Sequence, residues 1–237
     1  LKCKFSEKRY RGWISNFLGN VEKFNLVIYT DKNSLSMLES YKHNNRIKII
    51  ILEKENWELY KLKDQFSKNH QRNHLLNSMV EEDVIMLWCQ KTFFVKKAIQ
   101  DKIFESDYYG WCDIGYFRNS TCKKWPRQYK IDLLHRNKIY YTLVNRRTLF
   151  VLKNIKNRTG KVSIPPDQIS IAGGFFIGHR EKCTEWCEFF ETKLNHYFSN
   201  NMLVKDDQII ILDCILENES FFELINGGWF NFKRYLL

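Results

Sequence analysis

Short apolar segments alternating with amphipathic ones constrain this chain more than any other feature. Residues 24–29 and 46–52 read as strands, and between them 33–41 places Leu35, Met37, Leu38 and Tyr41 at helical spacing. Strand–helix–strand alternation of this kind predicts parallel strands joined by crossover helices. It returns with strands at 108–112, 138–144, 169–177 and 221–225, and with helices at 83–99, 128–135, 181–198 and 209–216. A helix at 7–18 comes first, and 1–5 reads as the end of a preceding strand. Two stretches break the pattern: 53–82 is polar and suits short helices, and 146–167 is basic, closed by Pro165-Pro166, and reads as an irregular flap or acceptor loop. The expectation is an α/β fold with a mostly parallel central sheet flanked by helices.

A chain of 237 residues with 44% hydrophobic and 16% aromatic content suits one domain, 1–237, with a sizeable core. No apolar run has transmembrane length and no signal peptide is visible, although the chain opens on Leu1. Seven cysteines, an odd number at irregular spacing, point to reduced thiols and a cytoplasmic setting. The net charge of +11 calls for an anionic partner: nucleic acid, an anionic surface or a phosphate-bearing substrate. Its cations are dispersed along the chain rather than gathered in one helix or tail, which counts against nucleic acid.

Chemistry concentrates at a few positions. Tyr108-Tyr109-Gly110-Trp111-Cys112 reads as a buried strand, and Asp113 stands where it ends. Ligands of open α/β sheets lie beyond the carboxyl ends of strands, so Asp113 either serves a ligand or caps a turn. In the helix at 83–99, Lys91 occupies the apolar stripe of Val84, Leu87, Trp88, Phe94, Val95 and Ala98. It either snorkels to the rim or points at an anion near Asp113. Gly173-Gly174 inside a strand permits close approach of a ligand or another backbone. Asp206 and Asp207 open a helix, where such residues ordinarily cap.

The ordered set Trp88-Cys89-Gln90-Lys91, Tyr109-Gly110-Trp111-Cys112-Asp113-Ile114-Gly115, Ala172-Gly173-Gly174-Phe175-Phe176-Ile177-Gly178 and Asp206-Asp207-Gln208 resembles the HtrL/YibB-type proteins of bacteria and large DNA viruses. These are glycosyltransferase-like proteins on the GT-A nucleotide-sugar fold, and the resemblance runs from about Trp13 to Leu224. It implies transfer of a sugar from a nucleotide-diphosphate donor to a glycan, protein or lipid-linked acceptor, with about 1–115 as the donor half and about 116–237 as the acceptor half. The acidic metal-binding motif would correspond to Trp111-Cys112-Asp113, with Trp111 in place of the first Asp and Asp113 kept as ligand to Mn²⁺ or Mg²⁺. One carboxylate holds such an ion weakly unless the diphosphate and another side chain complete its oxygen shell. Lys91, Arg118, His179, Lys233 or Arg234 would otherwise neutralise the phosphates.

By the same resemblance, Thr30 and Asp31 contact the nucleoside, Gly173 and Gly174 give the transferred sugar room, and Asp207 or Asp206 is the catalytic carboxylate. Asp207 is preferred because it directly precedes Gln208. Two other readings compete: a catalytically silent relative, motivated by Trp111, and a basic nucleic-acid-binding protein, motivated by the charge.

Overall fold

The computed structural model describes residues 5–119 and 121–237. The strand end expected at 1–5 lies almost wholly outside the described residues, as does Cys3; the six described cysteines are all free. The architecture is mixed α/β, in two sheets. Strands β1 (Leu26–Thr30) and β2 (Ile47–Ile51) form a parallel pair. Strands β3 (Tyr108–Cys112), β4 (Ile139–Leu143), β5 (Ile171–His179) and β6 (Phe222–Asn226) form a four-stranded sheet in the order β3-β5-β4-β6.

The expected mostly parallel sheet is therefore corrected to a mixed one. β4 and β6 are parallel, whereas β5 runs antiparallel to both β3 and β4. The cause lies in the connection between β4 and β5. Residues 146–167 are not the irregular flap read from their composition: helix α6 (Arg146–Thr159) fills most of the stretch. The Asn145 side chain caps it by accepting from Thr148 N at 3.1 Å, and Gly160, left-handed at φ 71°, ends it. Helix α6 packs on helix α8 (Asp207–Glu217), and the chain re-enters at the sheet end it left, Leu143 pairing with Ile171. A connection that returns to the same end makes an antiparallel neighbour. β3, β4 and β6 nevertheless point the same way, so their carboxyl ends lie together.

Further helices are α1 (Glu7–Leu18), α2 (Lys63–Arg72), α3 (Glu82–Cys89), α4 (Lys91–Gln100), α5 (Gln128–Asp132), α7 (Arg180–Ser199) and α9 (Phe232–Tyr235). The helix expected at 33–41 is two short 3₁₀ turns, and the one expected at 83–99 breaks at Gln90 into α3 and α4. Alternate residues of β4 serve two cores: Ile139, Tyr141 and Leu143 join Trp186, Phe190 and the isoleucines of α8, while Tyr140 faces Phe232, Phe175 and α1. Burying large side chains such as Trp186 and Phe190 contributes roughly 1.5–3 kcal/mol each. No helix among the described residues is long and apolar enough to cross a membrane.

The decisive irregularity is in β5. Its pairing with β4 jumps between Tyr140↔Ile177 and Thr142↔Ala172, so the four residues Gly173, Gly174, Phe175 and Phe176 stand opposite Tyr141 alone, three more than a regular ladder holds. An odd insertion reverses the facing of the strand. Ile171 accordingly faces the α7–α8 core, and Phe175 and Ile177 the opposite one.

Candidate active site

Three charged side chains remote in sequence meet at this bulge. The break at Gln90, whose Oε1 accepts from Leu59 N at 3.0 Å, makes Lys91 the first residue of α4 and turns it inward. Lys91 Nζ donates to Gly173 O at 2.8 Å and lies 3.1 Å from Asp207 Oδ2 and 3.3 Å from Asp113 Oδ1. It does not snorkel: its side chain is only 8% exposed. Asp207 is equally enclosed at 6%, whereas Asp113 is 41% exposed and opens the cluster to solvent.

The glycines make the cluster possible. A Cβ on Gly173 would stand 2.7 Å from Asp207 Oδ2, and one on Gly174 would stand 3.3 Å from Asp113 Oδ2. What approaches this backbone closely is thus a pair of carboxylates. Asp113 is further fixed by its own N–H, which donates to Gly174 O at 2.8 Å. Trp111, at the position where a first acid was expected, donates its indole N–H to Asp113 Oδ1 at 2.5 Å. Its ring stacks on Phe94 at 5.8 Å, and Phe94 stacks on Tyr29 of β1 at 5.0 Å.

Asp206 and Asp207 divide their labour. Asp206 caps α8, its Oδ1 accepting from Gln208 N at 3.1 Å and Ile209 N at 3.3 Å, while Oδ2 pairs with Lys205 at 3.2 Å. That frees Asp207 to face Lys91. The preceding loop is held by Asn69, which exchanges two hydrogen bonds with Val204, and by Asn73, which donates to Lys205 O.

Burial sets the electrostatics. It pushes the Asp207 carboxyl up to about 7, against the pull of the Lys91 ammonium. For Lys91 burial favours the neutral amine, but Asp113 and Asp207 outweigh it and hold the ammonium above the ordinary lysine range. Burial also raises Asp206, opposed by Lys205 and the helix N–H groups.

Other expected residues lie apart. Thr30 and Asp31 stand at the end of β1, where Asp31 closes a turn by accepting from Ser34 N at 2.7 Å and Ser34 Oγ at 3.2 Å. Arg118 lies near Asp113 in sequence, bonded to Gly115 O at 3.0 Å, and its guanidinium rests against Trp13 and Phe230. His179 is at the far end of β5, opposite Tyr108. Lys233 and Arg234 lie in α9. Tyr29, Phe94 and Gln90 also position the site, although in the sequence Tyr29 and Phe94 read only as apolar strand and stripe positions and Gln90 only as a member of the Trp88-Cys89-Gln90-Lys91 run.

The fit to a divalent metal is poor. Among the described residues no three His, Cys, Asp or Glu side chains gather around one point. The position between the two carboxylates is filled by the Lys91 ammonium, and Asp113 Oδ1 is already engaged by Trp111. A hard cation needs six or more oxygens, which these side chains do not supply.

Protein HtrL of Escherichia coli (strain K12) is 22% identical over 231 residues, covering 88% of this chain and 75% of that protein. The family described as "Bacterial protein of unknown function (HtrL_YibB)" matches residues 8–236. With all but the chain's ends inside that match, the protein belongs to the HtrL_YibB family.

Proposed function

We propose that this chain is a glycosyltransferase with a GT-A-like fold, moving a sugar from a nucleotide-diphosphate donor to an acceptor hydroxyl. The observation that carries the reading is the buried Lys91 bridging Asp113 and Asp207 against the Gly173–Gly174 backbone. The cluster sits beyond the carboxyl end of β3, where α/β sheets bind ligands. Asp113, the exposed member, is the donor-side residue, and Thr30 and Asp31 at the end of β1 contact the nucleoside.

In the transfer, the acceptor oxygen bonds to the anomeric carbon as the bond from that carbon to the diphosphate oxygen breaks. The electron pair leaves with the diphosphate, whose developing charge needs a fixed cation; Lys91 supplies it. The acceptor proton passes to Asp207, directly or through Asp113. A carboxyl titrating at about 7 suits this role, because a base is most effective when its pKa lies near the working pH. As the diphosphate draws on Lys91, Asp207 loses part of its counter-charge and becomes more basic. A silent relative would keep the same cluster purely as a buried ion-pair network.

Thermal unfolding with a panel of nucleotide-diphosphate sugars, with and without Mn²⁺, decides between them. The transferase should be stabilised by at least one donor, and Asp113→Ala should remove the stabilisation. No shift with any donor, in either the presence or absence of Mn²⁺, would leave the silent reading standing.

A further inference from the structure

Helix α6 shows solvent a surface that neither its own packing nor the site accounts for. Leu149 and Leu152 bury its inner face, and two lysines on that side are tied down: Lys153 pairs with Glu219, and Lys156 donates to Leu216 O at the end of α8. On the flank beside Lys153, Glu219 and Glu223 Phe150 is 63% exposed, and facing away from the inner face Val151 is 46% exposed and Ile155 42%. Arg147 and Arg158 share that side, each three or four residues from one of these apolar groups along the helix. The sequence Arg146-Arg147-Thr148-Leu149-Phe150-Val151-Leu152-Lys153-Asn154-Ile155-Lys156-Asn157-Arg158-Thr159 contains no acid at all. Arg146, Arg147 and Arg158 have no carboxylate partner among the described residues.

We propose that α6 docks this protein on an anionic lipid bilayer, lying flat with Phe150, Val151 and Ile155 in the headgroup–acyl boundary and the arginines on lipid phosphates. Charge complementarity names the partner: α6 itself carries no acid, Glu219 beside Phe150 is paired with Lys153, and Arg146, Arg147 and Arg158 outnumber the one other acid lining that flank, Glu223, so the face attracts an anionic surface, each cation contributing a similar small increment. The three exposed apolar side chains distinguish a bilayer from a nucleic acid, which would offer them nothing to enter. Orientation strengthens the inference. α6 begins three residues after β4 ends, and Asp113 follows the end of the co-directional β3, so helix start and carboxylate cluster belong to the same end of the sheet. The docking stands on the helix alone and does not depend on the transferase reading.

Flotation of the full chain with vesicles tests it. Phosphatidylcholine vesicles containing phosphatidylglycerol should carry the protein upward, pure phosphatidylcholine vesicles should not, and added salt should release it. Arg147→Ala with Arg158→Ala should weaken partitioning by about thirtyfold. Phe150→Ser with Val151→Ser and Ile155→Ser should weaken it comparably, with circular dichroism confirming that both variants remain folded. Absence of flotation with anionic vesicles overturns the proposal. So does flotation unaffected by the serine substitutions, particularly with equal binding to duplex DNA, since that describes a general polyanion surface.

Discussion

The two ends of β5 use glycine for opposite purposes. At Gly178 a Cβ would meet Ile139 Cδ1 at 2.4 Å and Cys183 Sγ at 3.3 Å, so the glycine there makes room for hydrocarbon and thiol packing. Beside it the buried His179 meets Arg136 at 2.7 Å and the edge of Tyr108. At Gly173 the Cβ would strike a carboxylate, and the buried cation nearby is bracketed by two acids. One end is a packing joint with a polar edge. The other keeps charge inside the protein, an arrangement that costs stability and calls for a functional explanation.

Lys91→Met should separate the two ends most sharply. Asp207 would lose its buried cation, and urea unfolding near neutral pH should show a loss of roughly 3–5 kcal/mol. Arg136→Met at the other end removes one hydrogen bond and should cost only about 1 kcal/mol. Equal losses would erase the distinction.

pH provides the next comparison. The folded Asp207 carboxyl titrates at about 7, above its ordinary 3.8, so between those values the folded state holds a proton that the unfolded chain has released. Stability therefore falls as pH rises through that window, by at most about 1.4 kcal/mol per pH unit from this group. The raised Lys91 contributes stability that is lost only above the ordinary lysine range, outside the window. Asp207→Asn should reduce the slope between pH 4 and 7, leaving the fall contributed by the raised Asp206; an unchanged slope would assign it to other groups.

Alanine at each glycine comes third. Gly173→Ala and Gly178→Ala should each destabilise by roughly 1–3 kcal/mol through overpacking. Ile139→Val removes the methyl that Gly178→Ala would strike and should restore part of its loss, whereas it should do nothing for Gly173→Ala. Only the latter should also abolish stabilisation by a nucleotide sugar. The smallest effect is expected from Trp111→Phe, which keeps a ring on Phe94 but loses the N–H to Asp113: about 1 kcal/mol, with any donor-dependent stabilisation weakened.

The site was more legible in the sequence than the sheet. Lys91, Gly173 and Gly174 are foreign to their local patterns, Asp113 stands at a strand end, and Asp207, an ordinary residue for a helix start, is marked only by the family resemblance; the fold brings all five together. Strand direction was not legible, because strand–helix alternation along the chain predicts parallel strands, and nothing local in 146–167, whose composition reads as an irregular loop, says that it holds a helix packed on α8. The helix itself was readable: Asn145, Leu149, Leu152 and Gly160 spell a cap, a buried stripe and a stop. Its basic composition and the following prolines drew attention away from them. The roles of Phe94 and Tyr29 depend on contacts between separate elements, which one-dimensional patterns do not contain.

The column Tyr29–Phe94–Trp111 has an optical consequence. No strand pairing joins β1 and β2 to the four-stranded sheet among the described residues, so this stack is a direct bridge from the end of β1 to Asp113. Its last ring is an indole whose N–H touches the carboxylate that faces solvent. The emission of Trp111, isolated as the difference between the native spectrum and that of Trp111→Phe, is a built-in gauge of charge at the cluster mouth. The chain carries its own fluorescent probe at the point where a ligand would enter.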